Sequence, residues 1–472
     1  MTGVDRRTFL VGAAVAGAAS TGTARAATAL FEHGVASGDP LADGVLLWTR
    51  VVTSEPIRWE IARDEDFRRV VKRGTTRTGP ARDHTVKVEV HGLHSNTRYW
   101  YRFRVGDVVS PVGRTKTAGC DSELNFGVVS CANWSMGHFA GYGFLAQQDI
   151  DAVIHLGDYV YEGVYAVTPQ LRPTDPPHEC VTLNDYRRRH AQYKTDRHVQ
   201  AIHQAHPMIA TWDDHESADN SSSTGSPLHD PATEGPWGVR MAAATQAYFE
   251  WMPIREGKLD RSFHFGELAS LTMLDLRSYR TDTTILGAAQ RNWLINRLTT
   301  DNARWQLVGN SVMISPFRIP PAPGFPSSNP DQWDGFPADR ELVLRALGDR
   351  RNTVFLTGDI HSSWACEVPF EGRSVATEYI TTSLTSDNFD ELLKVPPRTG
   401  SVLLEAQIQL LNPHAKFVEL DSHGVSTVKI TEDEVRYDWY YTADRKDPNS
   451  AVARAHSFRT RHNTAQTERV LS

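Results

Sequence analysis

The chain has 472 residues, with 57 acidic against 50 basic side chains, a net charge of −7, and 40% hydrophobic and 23% charged residues. That composition is ordinary for a globular protein, and the length exceeds one ordinary domain. The acidic balance speaks against nucleic acid as a main partner, and no stretch approaches the ~18 apolar residues of a membrane span.

The first residues read as an address. Asp5-Arg6-Arg7-Thr8-Phe9-Leu10 carries paired arginines, Val11 to Ala19 is a weakly apolar run of small residues, and Ala24-Arg25-Ala26 is a small-x-small cleavage signature. In that order they predict a twin-arginine signal peptide over residues 1–27 and a mature protein that is secreted or held in the cell envelope. Removing Arg6, Arg7 and Arg25 together with Asp5 takes the charge from −7 to −9. This route carries folded cargo, so a metal can be loaded before export.

Residues 28–118 read as all-β. Val45–Val51 is apolar and β-rich, Ile57–Ile61 and Val86–Val90 alternate, and Tyr99–Val105 alternates less strictly. Turn signals at Ser37-Gly38-Asp39-Pro40 and Gly106-Asp107 separate them. Short strands at this spacing predict a small β-sandwich of fibronectin-like type with a scaffolding role.

Near Thr117-Ala118-Gly119 the pattern changes, and residues 119–472 read as a second, α/β unit. Strands are expected at 124–129, 152–155, 207–211, 271–274, 306–309, 353–356 and 378–381. Helices are expected near 141–148, 183–195, 199–206, 239–251, 288–299 and 339–348. Polar or Pro-rich insertions at 164–182, 217–237 and 315–337 interrupt the alternation, and two of them follow directly on the loops described next, so they are expected at the mouth of a site. Four cysteines give no disulfide framework, but an exported chain makes one bridge among Cys120, Cys180 and Cys366 plausible.

Three short apolar runs each end in a loop of ligand-type side chains: Gly157-Asp158-Tyr159-Val160-Tyr161, Trp212-Asp213-Asp214-His215-Glu216 and Gly358-Asp359-Ile360-His361. In open α/β sheets, sites lie beyond the carboxyl ends of strands. Asp158 follows a glycine that allows a tight turn, and a carboxylate can bridge two cations. Asp213 and Asp214 are neighbours that repel unless a cation lies between them. Asn220 offers a neutral oxygen, and hard oxygen donors suit Ca²⁺, Mg²⁺ or Mn²⁺. Asp359 and His361, two apart in an extended segment, would face one side. Cys131 and Tyr161 are the unusual pair: each is ordinarily a packing residue, yet thiolate and phenolate stabilise ferric iron. Together the loops predict a multi-metal site of the kind that hydrolyses phosphate esters. No Gly-x-Ser-x-Gly elbow is present, which speaks against a serine hydrolase.

These residues resemble the PhoD family of alkaline phosphatases over nearly the whole chain. The resemblance lies in the paired-arginine leader, Phe31-Glu32-His33-Gly34-Val35-Ala36-Ser37-Gly38-Asp39-Pro40, Leu47-Trp48-Thr49-Arg50, Ser130-Cys131, His155 to Glu162, Trp212 to Glu216, and Leu356 to Trp364. It implies a metallophosphoesterase β-sandwich core flanked by helices. It implies Fe³⁺ on Cys131, Asp158, Tyr161 and His361, and one or two Ca²⁺ (Mn²⁺ or Mg²⁺ in their place) on Asp158, Asp213, Asp214 and Asp359, with Asn220 as a further donor. His215 takes the place of the superfamily histidine that touches phosphate or protonates the leaving oxygen. The implied activity is hydrolysis of small-molecule phosphate mono- or diesters by a cation-activated water, with nucleic acid only as a substrate. A phospholipase D-like phosphodiesterase acting on phospholipid is the alternative, with Phe317 and Phe325 beside the Pro-rich stretch Ile319–Pro326 as contacts to lipid. A non-catalytic, metal-stabilised surface-binding protein is a third reading, of a different class.

Overall fold

The computed structural model describes residues 29–120, 122–163, 170–320 and 327–471. The leader at 1–27 therefore lies outside the described residues. Two large sheets face each other. One has ten strands and the other seven, and each has a parallel centre with antiparallel flanks. In the first, Leu124–Val129, Ala152–Leu156 and Met208–Thr211 run parallel. In the second, Ala269–Met273, Trp305–Asn310, Thr353–Thr357 and Arg373–Ile380 do the same. Of these central strands, Ala152–Leu156, Met208–Thr211, Ala269–Met273, Trp305–Asn310 and Thr353–Thr357 are buried along their whole length, as strands covered on both faces must be.

One apolar core joins the sheets. Phe126, Ile154 and Ile209 from one meet Leu271, Leu307, Val354 and Leu356 from the other. Trp439 closes it, with ring centroids 4.6 Å from Tyr437 and 6.0 Å from Tyr379. Each such aromatic pair adds about 0.5–1.5 kcal/mol beyond the area it buries. Helices cover the outer faces, including Ala140–Ala146, Leu183–Lys194 and Trp237–Trp251 on one side and Gly287–Thr300 and Pro337–Ala346 on the other. This is the expected β-sandwich flanked by helices, and all six expected helices form within three residues of their expected ends.

The N-terminal β region has its own core, centred on Val45, Leu47, Tyr99, Tyr101 and Phe103. Its strands Ile57–Ala62, Val70–Thr76, Arg98–Val105, Val108–Val109 and Gly113–Lys116 form a separate sheet. Val35–Leu41, Gly44–Arg50 and Thr85–His91 instead extend the ten-stranded sheet, entering it through Gly38 opposite Met208. Trp48 Nε1 donates to the Glu250 carbonyl at 2.9 Å, and Lys87 Nζ donates to the Ile254 carbonyl at 2.8 Å. An edge strand with free N–H and C=O groups is an open template for pairing, and here it pairs with the same chain.

Residues beyond 382 add two helices, Phe389–Leu393 and Gly400–Leu411, and the antiparallel run Gly424–Ile430, Glu434–Thr442 and Val452–Arg461. The expected bridge among Cys120, Cys180 and Cys366 is not made, because Cys180 and Cys366 carry free thiols. The reason is position: Cys180 packs with Tyr186, Cys366 with Trp364, and Cys120 lies beside the inter-sheet core. No helix among the described residues is long and apolar enough to cross a membrane.

Candidate metal centre

Because the central strands of each sheet are parallel, their carboxyl ends lie together, and the expected loops meet there. Ser130-Cys131 follows Leu124–Val129, Asp158 follows Ala152–Leu156, Asp213-Asp214 follows Met208–Thr211, and Asp359 follows Thr353–Thr357. Two glycines let the loops approach. A Cβ on Gly157, whose φ is +111°, would stand 2.5 Å from Asp213 Cβ, and one on Gly358 would stand 2.8 Å from Ser130 Cβ. Cys131, Asp158, Asn220, Asp359 and His361 all have φ between 47° and 66°. Left-handed backbone in non-glycine residues costs energy and persists where the surrounding packing enforces it, often at functional sites.

The ligand atoms of Cys131, Asp158 and His361 lie within 4.8 Å of one another, and so do those of Asp158, Asp214 and His215. Asp158 is common to both groups, as a bridging carboxylate would be. The Tyr161 phenol donates to Asp158 Oδ2 at 2.8 Å and lies 3.4 Å from His361 Nε2. Cys131 Sγ is 4.0 Å from the Asp359 carbonyl oxygen. The Asp387 carbonyl takes His361 Nδ1 at 2.9 Å, which leaves Nε2 facing the cluster as an electron-pair donor.

The helix Leu183–Lys194 fixes Tyr161. A capping box between Thr182 and Asp185 starts it. From it, the Arg189 guanidinium donates to the Tyr161 carbonyl, and the Tyr193 phenol accepts the Tyr161 N–H at 3.3 Å. His215 lies against the Tyr161 ring, with centroids 4.2 Å apart, and its Nδ1 sits 2.9 Å from Glu162 Oε2.

Glu216, fully buried, ties the loops together. Its Oε2 accepts the N–H groups of Asp158 at 3.0 Å and Asp213 at 2.8 Å, and its Oε1 accepts that of Tyr159 at 2.6 Å. Arg277 is buried beneath the acidic pair. It donates to both oxygens of Asp213 at 2.8 and 3.1 Å and to both of Asp331 at 3.0 and 2.8 Å.

The electrostatics are those of a crowded anionic pocket. Burial pushes the Asp158 carboxyl well above its usual range, and Asp214, Asp213 and Glu216 push further, against the pull of His215. Asp359 is raised by burial and by Asp213, Asp331 and Asp214. Burial opposes a charge on His215, but Asp214, Glu162 and Asp158 outweigh it and hold the imidazole protonated. Burial lowers His361 to about 4, so it stays neutral, the form that binds metal. The thiol of Cys131 and the phenol of Tyr161 are both raised by burial and by Asp158.

The residues present fit a metal cluster. Asp158 Oδ1 is buried and has no hydrogen-bond partner. Clustered carboxylates, a neutral imidazole nitrogen, a thiol and a phenol form the donor set of a hard, highly charged cation beside an all-oxygen position.

The structure divides the expected residues. Cys131, Asp158, Tyr161, Asp214, His215 and His361 converge, and Asp359 lies at their edge. Both oxygens of Asp213 instead face Arg277. Asn220 is exposed; its backbone N–H donates to Asp214 Oδ2 at 2.6 Å, and its side-chain amide donates to Asp219. Phe317 is 5% exposed and packs edge-on against Trp364, so it offers no surface to lipid; Phe325 lies outside the described residues. Sequence reading assigned no role to Glu162, Glu216, Arg277, Asp331, Gln332 and Asp387. Glu162 and Glu216 lay within the quoted motifs, while the others carry no local signal.

Comparison with known proteins identifies the family. Residues 126–439 match the family model of the PhoD-like phosphatase, and residues 16–119 match that of the PhoD-like phosphatase N-terminal domain. Alkaline phosphatase D of Bacillus subtilis (strain 168) is 35% identical over 480 aligned residues, which cover 91% of this chain and 80% of that protein. A solved structure described as "Structure of PhoD" superposes with a TM-score of 0.85 at 33% identity, over 94% of this chain and 92% of that one. The chain belongs to the PhoD-like phosphatase family.

Proposed function

We propose that this phosphatase hydrolyses small phosphate esters at a mixed-metal centre built on the four strand-end loops. Convergence of the Cys131, Asp158 and His361 ligand atoms within 4.8 Å, around a carboxylate oxygen without a partner, carries the reading. Cys131, Asp158, Tyr161 and His361 form the position for Fe³⁺, because thiolate and phenolate donors favour the ferric state. Asp158, Asp214 and Asp359 supply oxygen donors for Ca²⁺, with Mn²⁺ or Mg²⁺ as substitutes. When bound, such cations neutralise phosphate oxygens and lower the pKa of water toward neutrality.

The protein's own groups do the rest. Asp158, shared between both clusters, sets their spacing. The Tyr161 ring and Glu162 hold the His215 imidazole in place. With Nδ1 donating to Glu162, the proton available to a leaving alkoxide is on Nε2. Asp213 holds Arg277 in the floor of the site with both its oxygens, whereas Asp214 stands 3.8 Å from that guanidinium and within reach of Asp158 and His215. No side chain is called on as a covalent nucleophile.

The leader at 1–27 would direct export of the folded, loaded protein, residues 28–118 would serve as a scaffold, and residues 119–472 would carry the chemistry. Elemental analysis of the mature protein together with a panel of aryl phosphate mono- and diesters tests the proposal. Iron with calcium, and a violet to brown colour that Tyr161→Phe shifts or removes, are expected. A colourless, iron-free and fully active enzyme would refute the iron assignment.

A further inference from the structure

Gln332, which no motif contains, reaches the site from the segment after Asn329. Gln332 is fully buried. Its Nε2 faces Asp359 Oδ2 at 3.4 Å, while its Oε1 is buried without any hydrogen-bond partner. The carboxylate dictates this orientation, since it attracts the amide N–H₂ and repels the amide oxygen. A buried acceptor left unmatched is uncommon and calls for an explanation.

Gln332 is also held from both sides. Asp331 is gripped by Arg277 and by Arg280, the latter at 2.7 Å. Trp333 is buried, its Nε1 donates to Asn310 Oδ1 at 3.0 Å, and the Gln332 carbonyl accepts the Gly335 N–H at 3.0 Å. The amide cannot swing out to solvent to satisfy its oxygen. Its surroundings are anionic, with Asp359 beside it and Asp213, Asp331 and Asp214 close enough to perturb Asp359. A neutral oxygen fixed among carboxylates is a normal part of calcium coordination, where six to eight oxygens include side-chain amide carbonyls.

We infer that a divalent, calcium-type cation held by Asp359 reverses this orientation, so that the Gln332 amide turns end for end and its Oε1 becomes an oxygen ligand of that cation. The segment Asp331-Gln332 thereby becomes part of the metal site, and Arg277 links Asp331 to Asp213 on the opposite loop. The inference rests on the metal-centre reading above and adds a residue to it.

The test is calcium titration, by calorimetry and by terbium luminescence, of the mature protein after chelator treatment. Gln332→Met, similar in size and without the oxygen, is expected to weaken calcium binding about 10–100-fold, as loss of a metal-site partner does. Iron content and the iron colour band should not change. Gln332→Glu should bind calcium at least as tightly as the wild type. Wild-type affinity and stoichiometry in Gln332→Met would overturn the inference while leaving the metal centre standing. A wild-type protein that binds no divalent cation would instead sink both, and that result is visible before any variant is made. Should Gln332→Met fail to fold, Gln332→Glu decides: retained or tighter calcium binding supports the inference, and weakened binding overturns it.

Discussion

Replacing Glu216 by Gln tests whether one buried carboxylate sets the spacing of the site. Three backbone N–H groups, from Asp158, Tyr159 and Asp213, point at its two oxygens. Burial raises this carboxyl to about 8 even with the three donors pulling against it. The comparison is therefore made at about pH 9, where the carboxylate that accepts all three bonds is the form present. Glutamine can keep one oxygen opposite Asp158 and Asp213, but its N–H₂ must then face the Tyr159 N–H. The change removes one charge-assisted hydrogen bond, worth about 1.5–3 kcal/mol, and leaves a buried donor unmatched, so the total loss should be about 2–4 kcal/mol. Glu216→Ala strands all three donors and should cost more, on the order of 4–6 kcal/mol, limited by water entering the space. Urea denaturation of metal-free protein reads the stability, and elemental analysis with turnover of an aryl phosphate reads the site. A displacement of ~1 Å between the Asp158 and Asp213 loops should lower turnover by about 100-fold. If Glu216→Gln keeps wild-type stability, metal content and turnover, the carboxylate does not clamp these loops.

Gly157→Ala places a Cβ 2.5 Å from Asp213 Cβ at a φ of +111°, and overpacking with backbone strain should cost about 2–5 kcal/mol; Gly225→Ala, which meets nothing within 4 Å, is the control, and thermal melts with metal analysis distinguish the two. Asp158→Ala should abolish turnover and metal retention while the N-terminal β region keeps its fold, as judged by protease resistance; retained turnover would remove Asp158 from the site. His155 and His190 are held neutral by burial, each lowered to about 3. Between that value and the ordinary 6.5 the unfolded chain binds protons that the folded one refuses, so stability falls on acidification, by about 2 kcal/mol per histidine at pH 5. His190→Leu should remove about 2 kcal/mol of the loss at pH 5 in metal-free protein, and an unchanged pH profile would refute the assignment.

Much of the site was legible because its signals are local. A short apolar strand followed by Gly-Asp, or by Asp-Asp-His-Glu, states both an element and the chemistry at its end, whatever the rest of the chain does. The parallel alternation from residue 119 onward made the shared position of those ends an expectation as well. The six helices were readable from periodicity alone. The helix Gly400–Leu411 was not, since four of its five leucines and isoleucines on the outer turns are exposed or half-buried, and no side chain caps it.

Chain pattern alone thus settled the type of fold, the loops where ligand-type side chains gather and the residue types available to a cation. It could not choose among neighbours of the same chemistry. Asp213 and Asp214 read alike until Arg277, 64 residues away in the chain from Asp213, takes both oxygens of the first. Nor could it show that Val35–Leu41 extends the catalytic sheet, or that Gln332 reaches Asp359. The physical reason is range. Hydrophobic period and turn chemistry act over a few residues, whereas a carboxylate's role depends on which charge, donor or backbone group is packed within about 3 Å of it, and only the folded chain brings those together.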